Sequence, residues 1–167
     1  NDCVGCHQVD YDQSLNPNHN TLNIPTDCAL LFIARYLRKN KFDGIPVEAL
    51  IKALRLVMKN NIFSFGDTLW RQKTGTAMGT PPAPPWATLY FALLEEDVVP
   101  QYDDYLQLYR RFIDDIFGIW LHHQDAATDL EQWTQFQAAI NSPVYKLVWD
   151  FSPLCQSLDF MDLHLTI

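Results

Sequence analysis

Two adjacent carboxylates, Asp114 and Asp115, lie in the stretch Tyr109-Arg110-Arg111-Phe112-Ile113-Asp114-Asp115-Ile116-Phe117-Gly118-Ile119-Trp120, between runs of β-branched and aromatic residues. That pattern reads as a β-hairpin with an acidic two-residue tip. Side by side, the carboxylates repel unless positive charge sits between or beneath them. Hard carboxylate oxygens suit Mg²⁺ or Mn²⁺, and a pair of such ions serves in-line displacement at phosphorus. The competing reading is an ordinary turn, since Asp hydrogen-bonds its own backbone in turns. Two other groupings carry metal-binding residue types. Cys3-Val4-Gly5-Cys6-His7 matches c-type haem attachment or half of a zinc site. No second Cys pair completes it, because Cys28 and Cys155 stand alone, so an incidental or structural role is expected. His122-His123-Gln124-Asp125 is read as surface residues, the usual place for neighbouring histidines on a strand or turn.

Upstream lies Gln72-Lys73-Thr74-Gly75-Thr76-Ala77-Met78-Gly79-Thr80-Pro81-Pro82-Ala83-Pro84-Pro85-Trp86, a Gly- and Pro-rich loop leading into an apolar, helix-competent run. Gly75 and Gly79 let a backbone approach a ligand closely, and prolines are tolerated at a helix start. Together the loop and the acidic hairpin resemble the two central motifs of reverse transcriptases. The loop is similar to the substrate-binding motif Gln, two residues, Gly, two residues, Met-Gly-x-Pro. Phe112-Ile113-Asp114-Asp115 is similar to the aromatic-x-Asp-Asp catalytic motif. The phrasing is closest to Penelope-like retroelements, whose polymerases are kin to telomerase.

The resemblance implies an RNA-directed DNA polymerase of a retrotransposon that adds deoxynucleotides to a primer 3′-hydroxyl with two Mg²⁺ (or Mn²⁺) ions. Asp114 and Asp115 would be two of three catalytic, metal-ligating carboxylates. Asp10-Tyr11-Asp12-Gln13-Ser14 resembles the strand that delivers the third. Asp10 is the expected ligand and Asp12 the alternative, because the family's Ser-Leu and Asn-Ile-Pro halves are here separated by extra residues. Gln72, Gly75, Met78 and Gly79 would bind the nucleotide. The implied partners are an RNA template, a DNA primer and deoxynucleoside triphosphates, with fingers, thumb and endonuclease parts supplied by a longer polyprotein. Residues 1–167 would be a partial palm, inactive in isolation and working inside the cell, in the nucleus. Ala83 and Thr88 stand where the family usually has Ser and Asn. Those departures and the split first motif support an alternative, a degenerate or domesticated palm serving as a structural or nucleic-acid-binding module.

The elements that must position these residues follow from periodicity. Ala29, Leu30, Ile33, Ala34 and Leu37 recur at helical spacing over 27–39, with Thr26 or Asp27 as cap. Pro46 opens a second helix carrying Val47, Leu50, Ile51, Leu54, Val57 and Met58. Residues 62–65 and 68–72 form a hairpin through Gly66-Asp67. A helix over 86–99 ends in Glu95-Glu96-Asp97, charges that oppose the helix dipole and are expected to be solvated. Arg110 and Arg111 point to opposite faces of their strand; solvated charges are the expectation, the alternative being that one of them holds a primer backbone or neutralises the acidic cluster. A helix over 126–140 and a strand over 144–149 follow. The strand over 158–167 resembles the Phe-Leu-Asp-Leu strand of the Penelope-like enzymes, with Met161, Leu163, Leu165 and Ile167 sharing a face. The fold expected is an α+β polymerase palm, an antiparallel sheet backed by helices on one face.

With 167 residues, 48% hydrophobic and 19% charged, the chain suits one globular domain. No apolar run is long enough to cross a bilayer, and the first residues lack a signal-peptide pattern, so a soluble protein without a membrane partner is expected. A net charge of −8 argues against a free-standing nucleic-acid binder.

Overall fold

The computed structural model describes residues 4–8, 24–72, 75–76, 80–113 and 115–166. They divide into two compact units, one of residues 20–93 and one of residues 1–19 with 94–167. Among the described residues the fold is mixed α+β with three small antiparallel sheets.

In the unit of residues 20–93, α1 (Thr26–Lys39) and α2 (Val47–Lys59) form a helical hairpin. The apolar stripe of α1 buries Ala29, Leu30, Ile33 and Ala34, whereas α2 fully buries Met58 alone among its residues. Pro25 occupies the N-cap position of α1 without a side-chain bond. The expected cap Asp27 instead turns its carboxylate to α2, accepting from Arg55 at 2.5 Å and Lys59 at 2.7 Å. The strands β2 (Ile62–Phe65) and β3 (Thr68–Arg71) pair through Gly66, whose φ of 60° suits glycine. α3 (Ala83–Val98) then buries Ala83, Trp86, Ala87, Tyr90 and Phe91. The Tyr90 hydroxyl donates to Cys28 Sγ at 3.7 Å.

The other unit is built on a sheet of order β1 (Val4–Gln8), β5 (Asp115–Leu121), β4 (Leu106–Phe112), with β5 central. Direct pairs share a face, so Tyr109 opposite Gly118 and Arg111 opposite Ile116 lie on one side of β4 and β5. On that side sits α4 (Ala126–Ile140). Its Trp133 meets Trp120 edge-on at 4.9 Å between ring centroids, and Phe136 lies 5.7 Å from the same indole. These groups, with Leu106, Ile140 and Phe151, enclose an apolar cavity of about 20 Å³. On the opposite side Phe117 meets Phe160 at 5.6 Å.

Two expected strands differ. Residues 144–149 form no strand, although Tyr145, Leu147 and Trp149 are buried in alternation. The segment belongs to none of the three sheets formed among the described residues. Lys146 takes a φ of 55°, and Asn141 holds both polar groups of the Trp149 backbone, donating at 3.1 Å to its carbonyl and accepting from its amide. The terminal segment is a hairpin of β6 (Ser157–Phe160) and β7 (Leu163–Thr166), not one strand. Met161 has a φ of 56° in its turn and so leaves the face expected for it. Ile167 lies outside the described residues. No helix among the described residues is long and apolar enough to cross a membrane.

Candidate functional site

The acidic stretch forms the expected hairpin, with one shift. Phe112 pairs with Asp115, so Ile113 leads out of the first strand and Asp115 is the first residue of the central strand. Two-residue hairpin loops favour turns with positive φ, and Ile113 adopts a φ of 56°. For a β-branched residue the left-handed region costs about 1–2 kcal/mol. Asp115 is half-buried. It alternates with Ile116, Gly118 and Trp120, which face α4, so it belongs to the opposite side with Phe117 and the exposed Arg110.

β1 runs antiparallel to β5, with Val4 opposite Leu121 and Gln8 opposite Phe117. The chain direction of β1 is therefore toward the end of β5 at which Asp115 stands. The strand includes Cys6 and His7 of the Cys-x-x-Cys-His stretch. Asp10, Asp12 and Asp114 lie outside the described residues, as do Lys73, Met78 and Gly79. Of the sequence-predicted carboxylates, Asp115 is therefore the one whose surroundings are described. Its hard oxygen donors are of the kind that Mg²⁺ accepts. No group of three or more His, Cys, Asp or Glu among the described residues is arranged to hold a metal ion.

Next to its turn, the hairpin contains a charged group that the sequence reading expected in solvent. Arg111 is buried, its side chain 8% exposed, and it grips Glu95 of α3 with two bonds, Nε to Oε1 at 2.5 Å and Nη2 to Oε2 at 3.0 Å. Its Nη1 donates to the Ile113 carbonyl at 3.0 Å. The Tyr109 hydroxyl donates to the same Glu95 carboxylate at 2.9 Å. Burial, reinforced by the neighbouring Glu95 charge, holds the Tyr109 phenol well above its ordinary pKa. Asp97, also expected to be solvated, accepts from the Tyr145 hydroxyl at 3.0 Å. The acidic helix end is tolerated because tertiary donors meet it. Adjacent arginines on alternating faces, with an acidic run on the preceding helix, were the available signal.

Beyond the far end of β5, His122 and His123 converge on Asp129. The Asp129 carboxylate accepts from Trp120 Nε1 at 3.2 Å and the His123 amide at 2.9 Å, and contacts His122 Nδ1 at 2.7 Å. Desolvation pushes its pKa up, but the bonds from His122, the His123 amide and Trp120 outweigh this and leave it below the ordinary value. Asp125 caps α4, accepting from the Thr128 amide at 2.8 Å. The histidine pair is thus a structural joint between β5 and α4.

In the Gly-rich loop, the Gln72 amide donates to the Asn61 carbonyl at 2.9 Å, continuing the β2–β3 hairpin toward the loop. Gly75 has a φ of 77°, a conformation that a side chain resists. The Thr76 hydroxyl is buried without a hydrogen-bond partner among the described residues. Ala83 is fully buried in the first turn of α3, and Thr88 is exposed. No protein-family model matches the chain, and no curated protein matches it.

Proposed function

We propose that the chain is the palm of an RNA-directed DNA polymerase of a retroelement, closest to the Penelope-like group, and that Asp10, Asp114 and Asp115 form its metal-binding carboxylate set. One observation carries the reading. The acidic motif is a hairpin whose second strand is central, and the strand preceding the candidate first motif pairs with it antiparallel, with Gln8 opposite Phe117. From that pair, Asp10 lies two residues onward along one chain segment and Asp115 two residues back along the other. This equal offset favours Asp10 over Asp12 as the third carboxylate.

Two Mg²⁺ ions bound by such a set would supply charge neutralisation at the primer 3′-hydroxyl and the departing pyrophosphate. The part of this chain's own residues is positioning. Asp115 is held at a strand end, where sheet hydrogen bonds define its backbone, and Gly75, at a φ of 77°, has no side chain to obstruct a nucleotide. Gln72 and Gly75, with Met78 and Gly79, are the residues assigned to the incoming nucleotide.

The test is Mn²⁺ binding to the whole chain by titration calorimetry, compared with an Asp114→Asn, Asp115→Asn double variant. Binding by the parent chain that disappears in the variant supports the reading, and Asp10→Asn and Asp12→Asn tested singly identify the third ligand. Equal heats from parent and variant would overturn it. That outcome would favour the second reading, a palm that has lost its chemistry, which Ala83, Thr88 and the split first motif support.

A further inference from the structure

The strained turn and the buried ion pair beneath it belong to one device. Ile113 holds a backbone conformation that a β-branched side chain disfavours, one residue before Asp114 and two before Asp115. The group that reaches its carbonyl is Arg111, whose guanidinium is also clamped by both oxygens of Glu95. The side chains of the pair are 8% and 17% exposed. A buried ion pair is seldom worth more to stability than an apolar pair of the same volume. What it offers is direction, because the planar guanidinium presents its donors in a fixed fork. Here one edge of that fork engages the helix and a remaining nitrogen engages the turn.

Resting on the metal-binding reading above, we propose that Glu95 and Arg111 are positioning residues for Asp115. The Glu95 carboxylate orients the Arg111 fork, the fork fixes the Ile113 carbonyl, and the fixed carbonyl sets the direction in which the first strand ends ahead of Asp115. The relation is that of an outer shell to a metal ligand, where loss of a supporting hydrogen bond typically lowers metal affinity by about 10–100-fold.

The experiment uses the whole chain with two readouts, Mn²⁺ affinity and the ¹³Cα shift of Ile113, which reports its left-handed backbone. In a Glu95→Leu, Arg111→Met double variant the buried charge is removed with the volume retained, so the fold persists while direction is lost. The expected result is a moderately lowered unfolding midpoint, because the buried Tyr109 hydroxyl loses its Glu95 acceptor, with an Ile113 shift displaced toward extended values and Mn²⁺ affinity reduced by about tenfold or more. Arg111→Lys is the second variant, keeping the charge on Glu95 without the fork, and it is expected to show the same two changes if the double variant does not fold. Parent-like Ile113 shift and affinity in the folded variants would overturn the proposal and reduce the pair to a strut between helix and sheet. Should the parent chain bind Mn²⁺ no better than Asp115→Asn, the metal reading fails on its own. The Ile113 shift then still decides whether the pair sets the turn.

Discussion

At the scale of single residues, Ile113 carries a local backbone cost beside the acidic motif, and Asp129 gathers several polar connections. Ile113 is 38% exposed, so part of its apolar surface is buried, while its φ of 56° disfavours any β-branched side chain. Ile113→Asn, which tolerates the left-handed region, is expected to raise stability by about 0.5–1 kcal/mol in urea unfolding. A loss of stability would show that the Ile113 side chain contributes packing that outweighs the strain. Asp129 is the opposite case. Removing its carboxylate in Asp129→Ala strands the indole N–H of the fully buried Trp120 together with the His123 amide, and is expected to cost about 2 kcal/mol. Because the folded pKa of Asp129 is lowered, its contribution is complete above the unfolded carboxylate range and is lost as pH falls through the lowered value. The stability gap between parent and Asp129→Ala should therefore narrow below about pH 4. A gap that stayed constant to pH 2 would contradict the assignment.

At the scale of elements, the β4–β5 hairpin is held by packing as well as by its turn. Gly118 faces the aromatic cluster of α4, and a Cβ there would meet Leu106 Cδ1 and the Leu108 carbonyl oxygen, each at 3.3 Å. The leucine methyl can move into the adjacent cavity of about 20 Å³, whereas the carbonyl belongs to the strand and cannot. Gly118→Val adds two further methyl groups at that point and is expected to cost about 2–3 kcal/mol, read as a lower urea midpoint at unchanged slope. An unchanged midpoint would mean that β4 yields more easily than its pairing implies. Glu95 and Arg111 join the same hairpin to α3, so the acidic turn is braced from two helices through chemically different contacts, one aromatic and one ionic.

At the scale of the whole molecule, the net charge of −8 conceals a division. Residues 20–93 contain nine Lys and Arg against four Asp and Glu, while the other unit contains three against sixteen. Asp27 engages Arg55 and Lys59, and Glu48 engages Arg38 at 3.0 Å, so much of the surplus lies on the exposed Arg35, Lys39, Lys41, Lys52 and Arg71. The expectation that an acidic chain is a poor partner for nucleic acid therefore applies to one unit and not to the other. On the polymerase reading, the whole chain should bind a single-stranded oligonucleotide with an affinity that falls as salt rises. Each lysine removed from a phosphate contact should lower the log–log salt slope by about 0.7. Lys39→Gln with Lys41→Gln tests this by fluorescence anisotropy, and binding insensitive to salt would exclude a backbone contact.

Local sequence determined the element types wherever a segment's pattern was self-sufficient. Apolar spacing marked the helices ending at Lys39, Lys59 and Ile140, and Gly66-Asp67 and the acidic stretch marked two hairpins, because helical period and turn chemistry depend on near neighbours. The candidate carboxylates and the Gly-rich loop were legible for the same reason, as residue types at fixed short spacing. Tertiary structure alone decided which charges are buried, since the partners of Glu95 and Asp129 lie 6–16 residues away in sequence and no local period reports them. It also decided that residues 144–149 remain outside any sheet despite their alternation. Here the Asn141 side chain bonds the amide and carbonyl of Trp149, and the Lys146 amide donates to the Ser142 carbonyl.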